Sequence, residues 1–220
     1  MTPLIVYGHP FSSYTQKVLI ALYENATPFE FRCISPAHPE NSAEWLARWP
    51  LRKFPLLVDG GRDVAETSII IEYLQHAHPG PAPLVPDEPS AALAVRFMDR
   101  FFDLHVMEAA QCAVDGAITG DATRARNGLA RSVSRLDRAY GWLETRLAGS
   151  AWAVDDRFTL ADCAAAPSLF YADWVHRIGD RYPVLRAYRS RLLARPSVAR
   201  AVDEARPYRH LFPLGAPDRD

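Results

Sequence analysis

Ser12, Ser13, Tyr14 and Thr15 put four hydroxyl side chains in a row between a short apolar run, Leu4-Ile5-Val6-Tyr7, and a segment with helical patterning. Two kinds of chemistry suit hydroxyls at such a junction. One is capping, since Ser and Thr accept hydrogen bonds from the free N–H groups of a first helical turn. The other is donation to an anion that the helix N-terminus already favours. The remaining reactive residues narrow the field. Cys33, Cys112 and Cys163 are widely spaced, with no Cys-x-x-Cys and no Cys/His cluster, so neither a zinc site nor a disulfide framework is expected. No Gly-x-Ser-x-Gly elbow is present, and no histidine stands as an evident partner for Ser12, which argues against a serine hydrolase. Scattered His and Cys argue against a metal enzyme, and no metal is expected.

The elements that must position the hydroxyls follow from pattern. The chain has 220 residues, ordinary apolar and charged fractions and a formal net charge of −1. That balance gives no reason to expect nucleic acid or an anionic membrane as partner. The arginines between Arg124 and Arg138 read as a solvated helix face. No run approaches the ~20 apolar residues of a membrane span. The opening, MTPLIVYG, lacks the basic and apolar regions of a signal peptide, so a reducing cytoplasm is the expected compartment. Residues 1–77 read as βαβαββα: strand Leu4–Tyr7, helix Phe11–Glu24, strand Phe29–Ile34, a short helical stretch Ser42–Arg48, a hairpin turning at Asp59-Gly60, and a helix Glu66–His76. Val18, Leu19, Ala21 and Leu22 mark the apolar side of the first helix; Ile69, Ile70, Tyr73 and Leu74 form a stripe on the last. The proline-rich stretch 78–89 reads as a semi-rigid linker. Residues 90–220 read as an all-α domain: from about Ser90 to Ala205 only helical periodicity is present, with long segments at about 90–118 and 122–148 and shorter ones at about 159–177, 183–194 and 197–204.

A βαβ opening with a reactive group at its first helix N-terminus resembles thioredoxin-like domains, which often carry two thiols in this window. Here hydroxyls stand in their place; they form no disulfide, but they donate to a thiolate brought by something else. Four segments in order resemble cytosolic glutathione S-transferases, over nearly the whole chain. FSSYTQKVLIAL is similar to their serine motif, and PLRKFPLLVDGGRDVAETSIIIEYL to their glutathione-site block. DRFTLADCAAAPSLF is similar to their second-domain folding motif, and YPVLRAYRSRLLARPSVARAV to their C-terminal helices. Bacterial serine-type members and the zeta, phi and tau classes are the most similar. The resemblance implies an N-terminal thioredoxin-like α/β domain, an all-α bundle forming a second-substrate pocket, and glutathione as co-substrate.

The resemblance also implies roles. Free glutathione thiol has a pKa of roughly 8.5, so little thiolate exists at neutral pH. Lowering it by two units requires ~2.7 kcal/mol in favour of the anion, within reach of a charge-assisted hydrogen bond at a helix N-terminus. Ser12 precedes Val18 by the family's spacing and is the preferred donor; Ser13 is the nearest competitor, ahead of Tyr14 and Thr15. Tyr7 is a rival from the end of the first strand, where some classes use a tyrosine. Glu66 would pair with the γ-glutamyl ammonium, and the Thr67 hydroxyl with the N-terminal amides of the helix it opens would hold its carboxylate; the family usually has serine where Thr67 stands. Phe54-Pro55 matches the turn that pairs with the cysteinyl unit through its backbone, before a cis proline, and Lys53 would meet the glycyl carboxylate. In the second domain Thr159 and Asp162 fit a capping box. Phe11, Phe101, His105 and Tyr171, with Phe102, Met107 and Trp174 nearby in sequence, are candidates for an apolar pocket opposite the thiol. The alternative to a transferase of small hydrophobic electrophiles is a non-catalytic binding protein on the same fold, such as the RNA-polymerase-associated stringent starvation proteins, or a glutathione-dependent isomerase or dehalogenase. A homodimer is the implied assembly.

Overall fold

The computed structural model describes residues 3–220. Strands β1 (Leu4–Gly8), β2 (Phe29–Cys33), β3 (Leu56–Asp59) and β4 (Arg62–Ala65) form one sheet in the order β2-β1-β3-β4. β1 and β2 are parallel, joined through α1 (Ser13–Glu24), while β3 is antiparallel to both β1 and β4. Helices α2 (Pro39–Arg48) and α3 (Thr67–Ala77) complete the expected βαβαββα order. Strand alternation divides the core. Leu4 and Val6 face α1 and α3, whereas Tyr7 faces the other way, with Trp45 of α2 and with Leu56 and Val58 of β3.

The remaining chain is helical: α4 (Pro89–Phe101), a π-helical segment Phe102–Met107, α5 (Glu108–Ile118), α6 (Ala122–Arg146), α7 (Leu160–Val175), α8 (Pro183–Leu193) and α9 (Pro196–Ala205), then a 3₁₀ turn Arg206–Leu211. α7 is buried along nearly its whole length and packs against α1 and α4. The proline-rich stretch is docked rather than loose. Gln75 Oε1 accepts the Leu84 and Val85 N–H groups, both at 2.8 Å, and Leu84 and Val85 are buried.

Three expectations change. The first helix has no single apolar side: Thr15 through Leu22 are all buried, because α1 is covered by the sheet on one face and by α7 and α9 on the other. Ile69 does not belong to the α3 core stripe; it is 56% exposed, and Ile70, Ile71 and Leu74 take the buried face. The long 90–118 helix is interrupted by the π segment, whose extra residue rotates the faces on either side by roughly 100° relative to each other.

The capping box at α7 forms, and it does more than cap. Asp162 Oδ2 accepts the Thr159 N–H at 2.9 Å and its hydroxyl at 3.1 Å, while Oδ1 accepts the Ala153 N–H at 2.9 Å and the Tyr188 hydroxyl at 2.6 Å. Burial pushes this carboxyl upward, and the donors around it pull it back. Asp162→Asn turns one acceptor into a donor facing a fixed buried N–H, an expected loss of about 1–3 kcal/mol measured by urea unfolding at fixed protein concentration. A midpoint like wild type's would show that the network contributes little.

Candidate active site

Ser12 is the N-cap of α1, with extended backbone, and its Oγ accepts the Thr15 N–H at 3.3 Å. Capping uses a lone pair, so the hydroxyl proton stays free for donation. The two uses that the sequence sets against each other are therefore compatible in one residue. The turn before it is tied at almost every backbone group. Ser12 N–H donates to the His9 carbonyl at 2.9 Å, and Phe11 N–H to His9 Nδ1 at 3.2 Å. The Pro10 carbonyl accepts from Gln16 Nε2 at 3.0 Å, and the Phe11 carbonyl from the Tyr171 hydroxyl at 2.8 Å. Burial lowers the His9 pKa, in keeping with a neutral ring whose Nδ1 accepts. Gly8 leaves room for the turn: a Cβ there would lie 2.7 Å from the Thr15 side chain. Thr15 is wholly buried and its Oγ1 takes the His9 N–H at 3.4 Å, which makes it a structural hydroxyl.

Lys53, Phe54, Pro55, Glu66 and Thr67 converge on one hollow of about 300 Å³. The Phe54–Pro55 peptide is cis. Glu66 caps α3 from a left-handed backbone (φ 69°), a conformation that a non-glycine residue holds only where its surroundings impose it. Asp103 and Glu108 bring two further carboxylates to this hollow, and Arg100 a guanidinium. Burial raises the Asp103 pKa, opposed by the nearby Lys17. A groove lined by the carboxylates of Glu66, Asp103 and Glu108 and the cations of Lys53 and Arg100, at the start of α3, suits a small zwitterion with carboxylates.

Beside it lies an apolar pocket of about 340 Å³, formed by Phe11, Ser12, Met107, Val114, Tyr171 and Phe212 among others. Tyr14 and Phe54 line both spaces and form their shared wall. Burial first, and the charges of Asp103 and Glu108 next, push the Tyr14 phenol up to about 12, so it stays protonated.

Several candidates stand elsewhere. Tyr7 lines neither space. It lies on the α2 face of the sheet, where its hydroxyl accepts from Arg32 at 2.8 Å, because strand alternation turns it away from α1. Phe101 and His105 lie outside the apolar pocket. They pack against each other (ring centroids 5.0 Å) and on α6, with Phe101 stacked on Trp142 at 4.3 Å. Phe102 is core, against Tyr188. Trp174 is buried behind Phe11 and Tyr171. Phe11, Tyr171 and Met107 do line the pocket.

Sequence reasoning missed Asp103, Arg100, Glu108 and Trp49 in the groove, and Leu211, Phe212 and Pro213 in the pocket wall. It also missed the role of Lys17. This ammonium is 1% exposed, 2.6 Å from Asp99 and 2.8 Å from Asp103, and it donates to Ser68 Oγ at 3.1 Å. The legible signal was a lone lysine inside TQKVLIAL, a helix with no polar face to carry it to water. Burial pushes the Cys163 and Cys33 thiols up, which disfavours the thiolate at both, with Ser35 and Tyr208 opposing the shift at Cys33. A larger hollow, about 710 Å³, lies between Tyr23, Phe29 and Arg200 and reaches Pro10; its charged residues pair within it, the Tyr23 hydroxyl donating to Glu204 at 2.6 Å and Arg200 donating to it at 3.0 Å. Among the described residues no helix is long and apolar enough to cross a membrane.

The chain matches two family models, "Glutathione S-transferase, N-terminal domain" over residues 6–82 and "Glutathione S-transferase, C-terminal domain" over residues 126–191. It is 28% identical to a probable maleylacetoacetate isomerase of Vibrio cholerae, over 94% of this chain and 99% of that one. A glutathione S-transferase of Methylobacillus flagellatus solved with glutathione bound superposes with a TM-score of 0.77 at 26% identity, covering 90% of this chain and 98% of that one. Poplar glutathione transferase F1 superposes at 0.80 with 18% identity, covering 94% and 100%, a likeness of fold. With both domain models matched in order, and a thioredoxin-like sheet domain packed on a helical one, the chain belongs to the glutathione S-transferase family.

Proposed function

We propose that this chain is a glutathione transferase in which the Ser12 hydroxyl donates to the glutathione thiol and holds it as thiolate. The observation that carries the reading is the shared wall: the five glutathione-site residues line one groove, Ser12 lines the adjoining apolar pocket, and Tyr14 and Phe54 border both. Glutathione laid along the groove would place its γ-glutamyl ammonium by Glu66 and Asp103 and the adjacent carboxylate at Thr67 and the α3 amides. Its cysteinyl backbone would lie at Phe54-Pro55, and its glycyl carboxylate toward Lys53. The thiol would then reach the α1 N-terminus, where the Ser12 O–H and the helix end favour the anion. A small hydrophobic electrophile would enter between Phe11, Met107, Val114 and Tyr171 and meet the thiolate there. The test is thiolate absorbance on mixing enzyme with glutathione near neutral pH, followed by conjugation of a haloarene; absence of both overturns the reading. An isomerase, in which the thiolate adds to a conjugated alkene and leaves again, is a second reading, favoured by the name of the Vibrio relative. It differs in that glutathione is not consumed.

The working form is proposed to be a cytoplasmic homodimer. Ile69 of α3 and Leu93 and Phe97 of α4 are 56%, 67% and 53% exposed, and Phe97 adjoins the half-exposed Trp142 of α6. The Arg96–Glu72 pair, at 2.7–2.9 Å, holds α3 against α4 and makes one surface of them. An exposed apolar patch built from two helices fits a two-fold contact in which the same patch is used twice. Sedimentation at micromolar concentration should give two chain masses, and Phe97→Glu should shift it toward one. A single chain mass for the unaltered protein contradicts the dimer.

A further inference from the structure

The turn that carries Ser12 is held by a residue of the second domain. Tyr171, in α7, is buried; its hydroxyl donates to the Phe11 carbonyl at 2.8 Å and accepts from Gln16 Nε2 at 2.9 Å. Gln16 is itself buried and gives its other N–H to the Pro10 carbonyl at 3.0 Å. The Tyr171 ring meets Phe11 edge to face, with centroids 5.4 Å apart. The two carbonyls immediately before Ser12 thus each accept from one member of a paired tyrosine and glutamine, Tyr171 of α7 and Gln16 of α1. The neighbouring backbone groups bond elsewhere: Ser12 N–H donates to His9 O, His9 N–H to Thr15 Oγ1 and Phe11 N–H to His9 Nδ1, while Gly8 O accepts the Ile34 N–H of the sheet domain. Among the described residues, Phe11 O is the backbone group of this turn that is hydrogen-bonded to the helical domain.

We propose that Tyr171, with Gln16, is a positioning residue that sets the direction of the Ser12 hydroxyl toward the thiol. A phenol that already donates to Phe11 O has no second proton to give, so Tyr171 cannot polarise the electrophile whose pocket it lines. Its effect on the reaction must pass through the serine turn. A hydrogen bond to a thiolate depends steeply on direction, and a small rotation of the turn leaves the Thr15 cap intact while misaligning the O–H. Fixing that turn from α7 also joins the floor of the electrophile pocket to the group that activates the thiol.

This inference rests on Ser12 as donor, and its test separates the two. Tyr171→Phe keeps the ring and removes the hydroxyl; Gln16→Met keeps the length and removes both donors. Each is expected to raise the glutathione-bound thiol's pKa by roughly half to one unit, lowering kcat at acidic pH roughly three- to tenfold, with KM for glutathione within about twofold. Activity should approach wild type at high pH, where the thiol ionises unaided. In a Ser12→Ala background the same substitutions should add no further shift in the thiol titration. A Tyr171→Phe or Gln16→Met enzyme that titrates like wild type overturns the positioning role. So does a shift that persists undiminished without Ser12, or a loss of activity equal at all pH, which is what simple destabilisation gives. If Tyr171→Phe fails to fold, Gln16→Met alone decides. A wild-type enzyme with no thiolate band would remove the function reading and this inference together.

Discussion

Ser12→Ala should lower conjugation at about pH 6.5 roughly ten- to a hundredfold, while glutathione affinity stays within a few-fold. The two halves of that expectation come from different parts of the site. On the proposed reading, affinity comes from the groove of Glu66, Thr67, Phe54-Pro55 and Lys53, which Ser12 does not line. Rate resides in the fraction of bound thiol that is ionised. Losing one charge-assisted hydrogen bond returns the thiol pKa toward its free value by roughly one to two units, and below that pKa each unit is a tenfold loss of thiolate. The deficit should shrink as pH rises past both pKa values, because wild type and variant are then equally ionised. Loss of the Thr15 cap adds a stability cost of about 1 kcal/mol, which is distinguishable because it does not vary with pH in this way. Ser13→Ala should have much less effect. A flat ratio of variant to wild type between acidic and alkaline pH would mean that Ser12 acts by folding the turn only.

Lys17→Met is expected to be the most destabilising single substitution considered, at about 3–5 kcal/mol. The ammonium sits between the Asp99 and Asp103 carboxylates, and Ser68 Oγ donates to Asp99 at 2.6 Å, so α1, the start of α3 and the π segment meet at one buried charge. Removing it leaves two carboxylates buried and facing each other with one partner fewer. The penalty should also depend on pH, in a definite direction. Burial already raises Asp103 above the usual carboxylate range, and the loss of Lys17 raises it further. Between the unfolded and the folded pKa the folded variant holds a proton that the unfolded chain has released. Its stability therefore falls as pH rises through that window, and the deficit against wild type narrows on acidification toward pH 5. Urea unfolding at several pH values and one protein concentration measures this. A deficit below about 1 kcal/mol, or one that widens on acidification, contradicts the arrangement. Because Asp103 lines the groove proposed for glutathione and Ser68 follows Thr67, surviving protein should also bind glutathione less well.

What the sequence made legible was whatever is local or periodic. The βαβαββα order, the hairpin at Asp59-Gly60 and the α7 capping box all came from spacing and turn chemistry, and the structure places them within a few residues of their expected bounds. The groove residues Lys53, Phe54, Pro55, Glu66 and Thr67 were legible through resemblance, since nothing in their local pattern says that two separate turns face one hollow. Phe101 and His105 were offered for the pocket together with Phe102 and Met107 of the same helical stretch, with nothing local to say which face meets the site; they pack on α6 at Trp142 instead. Asp103 and Met107, on the other face of that segment, are the ones that reach the site. Tyr7 illustrates a second limit: strand alternation fixes that it lies opposite Val6, but which face meets α1 depends on packing from the whole chain. Long-range ties such as Tyr171 to Phe11, 160 residues apart, leave no mark in local sequence at all.

The central claim is that the Ser12 hydroxyl, and not one of its neighbours, makes the thiolate. The most direct test is the thiolate absorbance of the enzyme–glutathione complex as a function of pH, for wild type, Ser12→Ala, Ser13→Ala and Tyr7→Phe. Wild type, Ser13→Ala and Tyr7→Phe should titrate together, well below the free thiol, with Ser12→Ala alone displaced upward by roughly one to two units. If Ser12→Ala instead titrates with wild type while Ser13→Ala or Tyr7→Phe moves, Ser12 is a helix cap and the activating hydroxyl lies elsewhere.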